Sequence, residues 1–586
     1  MLKRRFLLRT TFLAGMLALG FFAGEVHERS LEWQADRRLV KEFDIRPAAL
    51  PVYVSEAGQQ LLASGIRFEE ATGSGVTFSY DNGPEQQFHL AETLGGGVGA
   101  FDFDNDSHVD LVFVDGGNPV EWPSNRTSRI ELYRSERNLR YSAVTPVSGV
   151  VWTGYGHGCA VADINNDGFD DMLVTGYQMS ALYINQGDGT FEEASGFREL
   201  TGDRWCATGC WSDLDADGDL DLYIACYADT PRSLPTPVCE SGGVRIHCNP
   251  HSYRAVTDLL FENLGTGEFV DRSDTSGIAA YKEYGMGVIA ADLDGNGTAE
   301  IFVANDGDRN LLFRQTSPWK YEEIALNSGV AFNGQGETMG SMGVACADFD
   351  RNGLLDLLTT NFSHESNALF HQVSPLTFVD TTQGTEMDRT SRSRVGWSAI
   401  PVDADCDRFM DLFVANGHVT DMPGEDWAQQ SSLLRGIANG FEEARNAGRW
   451  LETPWHARGA SRADLNDDGL DDLVVSLIDS PAALLLNNSN AAGNRVQLKL
   501  IGTQSCRSAE GAIITVATAS GKSTYIVSQN AGYLSSNSSV ITVGLGADKT
   551  VDQLRIQWPG GTSQDAGPIA AGRQYTVIQG RQALVK

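Results

Sequence analysis

The sequence predicts an all-β fold: a seven-bladed β-propeller followed by a small C-terminal β domain. Three markers that recur in register along the chain carry this prediction. An acidic loop D-x-[DN]-x-[DN]-x-x-x-[DE] occurs seven times, a small residue stands five positions before each loop, and an aromatic-led segment ends each unit. The loop starts are about 60 residues apart, a period of repeat architectures in which each unit is one small sheet.

The loops place four candidate ligands each at positions 1, 3, 5 and 9. The first three sets are Asp102, Asp104, Asp106 and Asp110; Asp163, Asn165, Asp167 and Asp171; and Asp213, Asp215, Asp217 and Asp221. The fourth and fifth are Asp292, Asp294, Asn296 and Glu300, then Asp348, Asp350, Asn352 and Asp356. The sixth and seventh are Asp403, Asp405, Asp407 and Asp411, then Asp464, Asn466, Asp468 and Asp472. A hard divalent cation such as calcium takes six to eight oxygens, and alternate side chains of a tight loop with a backbone carbonyl near position 7 supply them. The sequence therefore predicts up to seven calcium ions. Glycine at position 6 permits the sharp turn, as Gly168, Gly218, Gly297, Gly353 and Gly469, whereas Ser107 and Arg408 replace it in the first and sixth loops. An EF-hand is excluded, because position 12 lacks its glutamate and is Phe113, Val174, Ile224, Val303, Thr359, Val414 or Val475. One such turn alone reads as solvated surface; seven in register read as cation sites.

The small residues are Gly97, Gly158, Thr208, Gly287, Gly343, Ser398 and Gly459, as crowding near a propeller axis requires. After each loop comes an apolar run such as Leu111-Val112-Phe113-Val114, the pattern of a buried strand. The aromatic segments begin at Phe68, Tyr141, Phe191, Phe269, Tyr321, Phe378 and Phe441. Phe68 has no loop before it and the Asp464 loop has no such segment after it. The Phe68 strand is therefore expected to complete the blade begun at Asp464, removing the open edge of a linear array.

With these residues in place, the chain resembles the integrin-like FG-GAP/VCBS repeat family related to cartilage acidic protein. An insertion with Ala225-Cys226-Tyr227, Cys239 and Cys248-Asn249-Pro250 is similar to that family's cysteine-bearing insertion, and Gly340-Ser341-Met342-Gly343 and Asn416-Gly417-His418-Val419 match stretches typical of it. The C-terminal part resembles the ASPIC/UnbV domain through Gly511-Ala512, Gly532-Tyr533-Leu534-Ser535, Gly544-Leu545-Gly546 and Arg555-Ile556-Gln557-Trp558-Pro559-Gly560-Gly561. It departs from that pattern at Glu510 and at Thr542-Val543. The resemblance covers roughly residues 60 to 565 and implies a propeller over 61–495 and an ASPIC/UnbV-like domain over 496–586.

Lys3-Arg4-Arg5 followed by an uncharged apolar stretch from Thr10 to Gly24 reads as a signal peptide or short membrane anchor over residues 1–24, with a charged linker over 25–60. The expected location is extracytoplasmic, and any membrane contact runs through that segment. Export permits disulfides, and Cys239 and Cys248 enclose a Gly-rich segment suited to one. Cys206 and Cys210 are too far apart along one strand to pair, and Cys159 and Cys346 read as buried thiols of inner strands. With 44 basic against 77 acidic residues, a net charge of −33 argues against a nucleic-acid partner.

No histidine, serine or glycine motif of catalysis is present. His157, His418, Trp152, Trp211, Trp397 and Trp455 are read first as core and second as ligand-contacting groups. The leading functional reading is a binding or adhesion module for a protein or glycan, with calcium structural. Two alternatives stand beside it: an enzyme acting on a small molecule at the propeller face, prompted by relatives of the C-terminal domain in natural-product biosynthesis, and a structural subunit of an envelope assembly.

Overall fold

The computed structural model describes residues 65–83, 88–119, 129–230, 237–241, 243–265, 267–420, 425–490 and 493–585. The predicted export segment, the linker and residues 61–64 lie outside the described residues.

Seven four-stranded antiparallel sheets follow one plan. Their first strands are Val98–Phe101, Tyr155–Ala162, Cys206–Ser212, Gly285–Ala291, Val344–Ala347, Gly396–Val402 and Ala457–Ala463. Each runs into an acidic loop, and each second strand begins at the residue in position 9 of that loop: Asp110–Val114, Asp171–Tyr177, Asp221–Cys226, Glu300–Asn305, Asp356–Thr359, Asp411–Asn416 and Asp472–Leu477. The aromatic segments form the fourth strands. The ring closes as the sequence markers predict, because Phe68–Glu70 pairs antiparallel with Ala483–Asn487 in the sheet of the Asp464 loop. The first strands of consecutive sheets are neighbours all the way round, the seventh lying beside the first.

The second strands are apolar and buried along their whole length because each has a sheet on both sides. Alternate side chains of a strand point to opposite faces. Leu111 and Phe113 accordingly pack with Val474 and Ile478 of the seventh sheet, while Val112 and Val114 pack with Val161 and Val174 of the second. The small residues sit where the first strands crowd one another. A Cβ on Gly287 would lie 2.3 Å from the Met342 carbonyl oxygen, and one on Gly343 would lie 2.1 Å from that of Trp397. At the two positions without glycine a hydroxyl bonds the next strand instead: Thr208 donates to the Met286 carbonyl at 2.6 Å and Ser398 to that of Ala460 at 3.3 Å.

The C-terminal part is two four-stranded sheets face to face. Asn494–Ile501 runs parallel to Arg573–Ile578, and the alternation of Val496, Leu498 and Leu500 meets Ile514, Val516, Leu554 and Ile556 of the other sheet over Trp558. The segment between Gly521–Ile526 and Ile541–Gly546 leaves this sandwich and enters the propeller axis. Gly532 exchanges backbone hydrogen bonds with Val344, Ser536 bonds Val98 and Ala100, and the Leu534 carbonyl accepts from Cys159 at 3.1 Å. The motif Gly532-Tyr533-Leu534-Ser535 is thus an axial plug that touches several first strands at once.

Cys239 and Cys248 form a disulfide across the hairpin of Cys239–Ser241 and Val244–Ile246. The other seven cysteines are free and buried, including Cys159 and Cys346 on first strands and Cys206 and Cys210 within one strand. Trp152, Trp211 and Trp397 are buried, with the indoles of Trp211 and Trp397 donating to the carbonyls of Ala160 and Gly417. Trp455 is half-buried and donates to the Trp450 carbonyl. His157 is fully buried and stacked on Trp205, and His418 is buried with Nδ1 2.9 Å from the Thr420 carbonyl. The core reading of these side chains therefore fits their surroundings.

Candidate metal centres

Each acidic loop is held by its own carboxylates. In the second loop Asp163 accepts from the backbone N–H groups of Asp167 and Gly168, Asn165 accepts from Asp167, and Asp167 accepts from Phe169. The same nest recurs in the first, fourth and seventh loops. Two residues per loop adopt positive φ. Position 6 does so in all seven, including Ser107 at 72° and Arg408 at 82°, so the two loops without glycine keep the same turn at a steric cost. Position 4 does so as well: Asn105, Asn166, Ala216, Gly295, Arg351, Cys406 and Asp467. Asn105, Asn166, Gly295 and Asp467 are of the types that favour that conformation, whereas Ala216, Arg351 and Cys406 are not, and sequence reasoning missed the position.

The carboxylate at position 9 has a second task. In the six loops with aspartate there, its Oδ2 accepts the backbone N–H of position 2, as from Phe103 to Asp110 and Leu214 to Asp221, and its Oδ1 accepts an N–H of the third strand, as from Ser135 and Asn263, whereas Glu300 makes only the first of these bonds. The aspartate ties the loop to two strands whether or not a cation is bound.

The nests bring acidic oxygens together. Those of Asp102, Asp104 and Asp110, of Asp213, Asp215 and Asp221, of Asp292, Asp294 and Glu300, and of Asp403, Asp405 and Asp411 lie within 4.8 Å of one another in each set. In the fifth loop the converging set is Asp350, Asp356 and His371. Asp106, Asp217 and Asp407 at position 5 stand outside the sets of their loops, and in the second and seventh loops Asn165 and Asn466 occupy position 3. Burial, with like charges beside it, pushes Asp110 and Asp171 up to about 8, Asp221 to about 9 and Glu300 to about 8. Burial followed by neighbouring aspartates takes Asp163, Asp213 and Asp348 to about 7. Buried oxygens Asp213 Oδ1, Glu300 Oε1, Asp348 Oδ1 and Asp405 Oδ1 have no hydrogen-bond partner. Orphaned anionic oxygens in buried, like-charged sets fit a hard divalent cation, and calcium suits this donor chemistry.

One position on the third strand distinguishes the loops. It follows the residue paired with the start of the second strand and is Arg134, Ile184, Glu262, Arg314, His371, Arg435 and Leu486 in the seven sheets. Arg435 reaches into the sixth loop, where Nε donates to Asp405 Oδ2 at 2.8 Å and Nη2 to Asp407. The guanidinium there pairs with two carboxylates of its own loop at once.

The C-terminal sandwich lies on the loop face. Gln497 donates to Asp464 Oδ2 at 2.9 Å, Gln557 to Asp292 Oδ2 at 2.9 Å, and the Arg507 guanidinium stands 3.6 Å from Asp163 Oδ2. A Cβ on Gly544 would lie 1.9 Å from Asp403 Oδ2. The carboxylate at position 1 is therefore the point where several loops meet the second domain.

The repeat model for an FG-GAP-like repeat matches residues 102–174, 163–224 and 292–359, and the ASPIC and UnbV model matches residues 502–584. The chain carries FG-GAP-like repeats and an ASPIC and UnbV domain. It is similar to cartilage acidic protein 1 of Xenopus tropicalis, 24% identical over 521 residues that cover 84% of this chain and 74% of the relative. The human protein of that name is 24% identical over 389 residues, 63% of this chain and 54% of the relative, so the chain spans about half of the human relative's length. Two solved structures align at a TM-score of 0.38. One, described by recognition of non-reducing terminal N-acetylglucosamine by an Agrocybe aegerita lectin, is 12% identical, with 66% of this chain and 87% of that chain covered. The other, YCF48 bound to a D1 peptide, is 7% identical, with 72% and 95% covered.

Proposed function

We propose that this protein is an exported, calcium-stabilised β-propeller that serves as a binding module for a protein or glycan ligand. The observation that carries the reading is the repeated convergence of buried carboxylates with orphaned oxygens, as at Asp213, Asp215 and Asp221. Each loop joins the first two strands of its sheet, so a cation there locks strands that the axis and the C-terminal domain also share. Calcium is structural in this scheme. The Cys239–Cys248 disulfide and relatives named cartilage acidic protein support an extracytoplasmic setting. The sandwich covers the loop face, so recognition is assigned to the opposite end of the strands. The disulfide-bearing insertion lies there, with Tyr253 accepting from the Tyr284 hydroxyl through its carbonyl and His251 packed on the Tyr284 ring.

The test is metal analysis of the purified full chain together with calorimetric unfolding in calcium and in chelator. Several calcium ions per chain and a large fall in Tm on chelation are expected, with recovery on calcium addition. A metal-free protein with unchanged unfolding would overturn the reading.

A further inference from the structure

The fifth loop differs from the others in the chemistry it offers a cation. His371 Nδ1 lies at ion-pair distance from two carboxylates, 3.0 Å from Asp356 Oδ2 and 3.8 Å from Asp350 Oδ2. One oxygen each from Asp350 and Asp356 and one ring nitrogen of His371 lie within 4.8 Å of one another. Asp348 at position 1 is only 4% exposed, and its orphaned Oδ1 belongs to a carboxylate that feels both Asp356 and Asp350. The side chain at position 5 is already engaged: Asn352 Nδ2 donates to Asp350 and to the Gln372 carbonyl, and its Oδ1 accepts from Leu354. The oxygen set equals that of the fourth loop, and what sets this loop apart is the ring nitrogen of His371 added to it. At the same strand position the sixth sheet has Arg435 and the second and seventh have Ile184 and Leu486, none of which ligates a metal.

We propose that the fifth loop is a mixed nitrogen and oxygen site for a first-row transition divalent cation, with His371, Asp350 and Asp356 as ligands and Asp348 completing the set. Imidazole binds such ions far better than it binds calcium, for which it is a poor ligand, while carboxylates serve both. Asp350 is partly exposed, so the ion enters from solvent while the Asp356 side is sealed. The inference deepens the calcium reading, on which it rests only in taking the loops as cation sites.

The experiment uses the metal-stripped full chain dialysed against zinc in a large excess of calcium, followed by elemental analysis of both metals. About one zinc per chain is expected in the unaltered protein. His371→Gln and, independently, Asp350→Asn should each weaken zinc retention by at least about tenfold. Both variants should keep the calcium ions of the other loops. Cobalt in place of zinc should give visible absorption that His371→Gln loses. Calcium filling the loops with no zinc retained, or zinc retained equally by His371→Gln, would overturn this inference and leave the calcium reading standing. Absence of both metals would overturn the two together.

Discussion

Phe68 stands directly opposite Asn487 in the last sheet, and the backbone N–H of Asn487 is held by Asp472 Oδ1 at 2.7 Å. The strand that closes the ring is therefore fastened to the same carboxylate that ends the seventh acidic loop. Phe68 is buried among Leu473, Val475 and Leu485.

Replacing Phe68 by alanine removes a ring from this core and should cost about 3–5 kcal/mol of stability. Denaturant unfolding of the variant, in calcium, checks the figure. A change well below 1 kcal/mol would mean that the closing strand does not hold the ring.

The two roles within a loop can be separated. Asp221→Ala deprives the Leu214 and Asn263 N–H groups of their acceptor and removes a candidate ligand, so it should destabilise the protein by about 1–3 kcal/mol per buried group in chelator and by more in calcium. Asp217→Ala removes an exposed carboxylate outside the converging set and should lower stability less than Asp221→Ala under either condition. Thermal unfolding of both variants under both conditions gives the comparison.

The metal-free protein should become less stable as pH rises. Asp110, Asp171 and Glu300 have folded values near 8 and Asp221 near 9, chiefly through burial, against ordinary values of about 4. Groups with raised folded values bind more protons folded than unfolded. Their stabilising contribution is full below about pH 4 and is lost as pH rises through about 8 or 9. Tm of stripped protein should fall between pH 5 and pH 8, two points inside that window, whereas calcium-loaded protein, whose carboxylates are ionised by the cation, should not show this fall. Parallel slopes in the two states would contradict the assignment of these groups.

Tyr533→Ala tests the axial plug. Tyr533 is buried against Trp397 with ring centroids 4.9 Å apart, and truncation should cost about 3–5 kcal/mol and loosen the two domains. Limited proteolysis should then cut between residues 488 and 494 faster than in the unaltered chain.

In the sixth loop, Arg435→Leu should raise dependence on calcium, because Asp405 and Asp407 lose the cation they now hold. The readout is the difference in Tm between calcium and chelator, larger in the variant.

Much of this was legible in the linear chain. The acidic spacing, the small residues before it and the aromatic segments after it each depend on a few neighbouring residues, and they marked every sheet, its loop and the pairing of Phe68. The Cys239–Cys248 bridge was legible because both cysteines sit in one short insertion. Gly532-Tyr533-Leu534-Ser535 stood out as a motif, yet nothing local placed it in the axis. His371 and Arg435 carried no signal at all, since they reach the loops only through the strand register.

By itself the sequence determined the repeating unit, because turn chemistry and strand alternation are written in contiguous residues. Tertiary structure alone decided which loop has a histidine beside its carboxylates, which has an arginine paired with them, and which aspartates meet Gln497, Arg507 or Gln557 of the second domain. Those contacts join residues distant in sequence. They exist only after sheets and domains have packed, and packing depends on shape and burial summed over the whole molecule rather than on any one spacing.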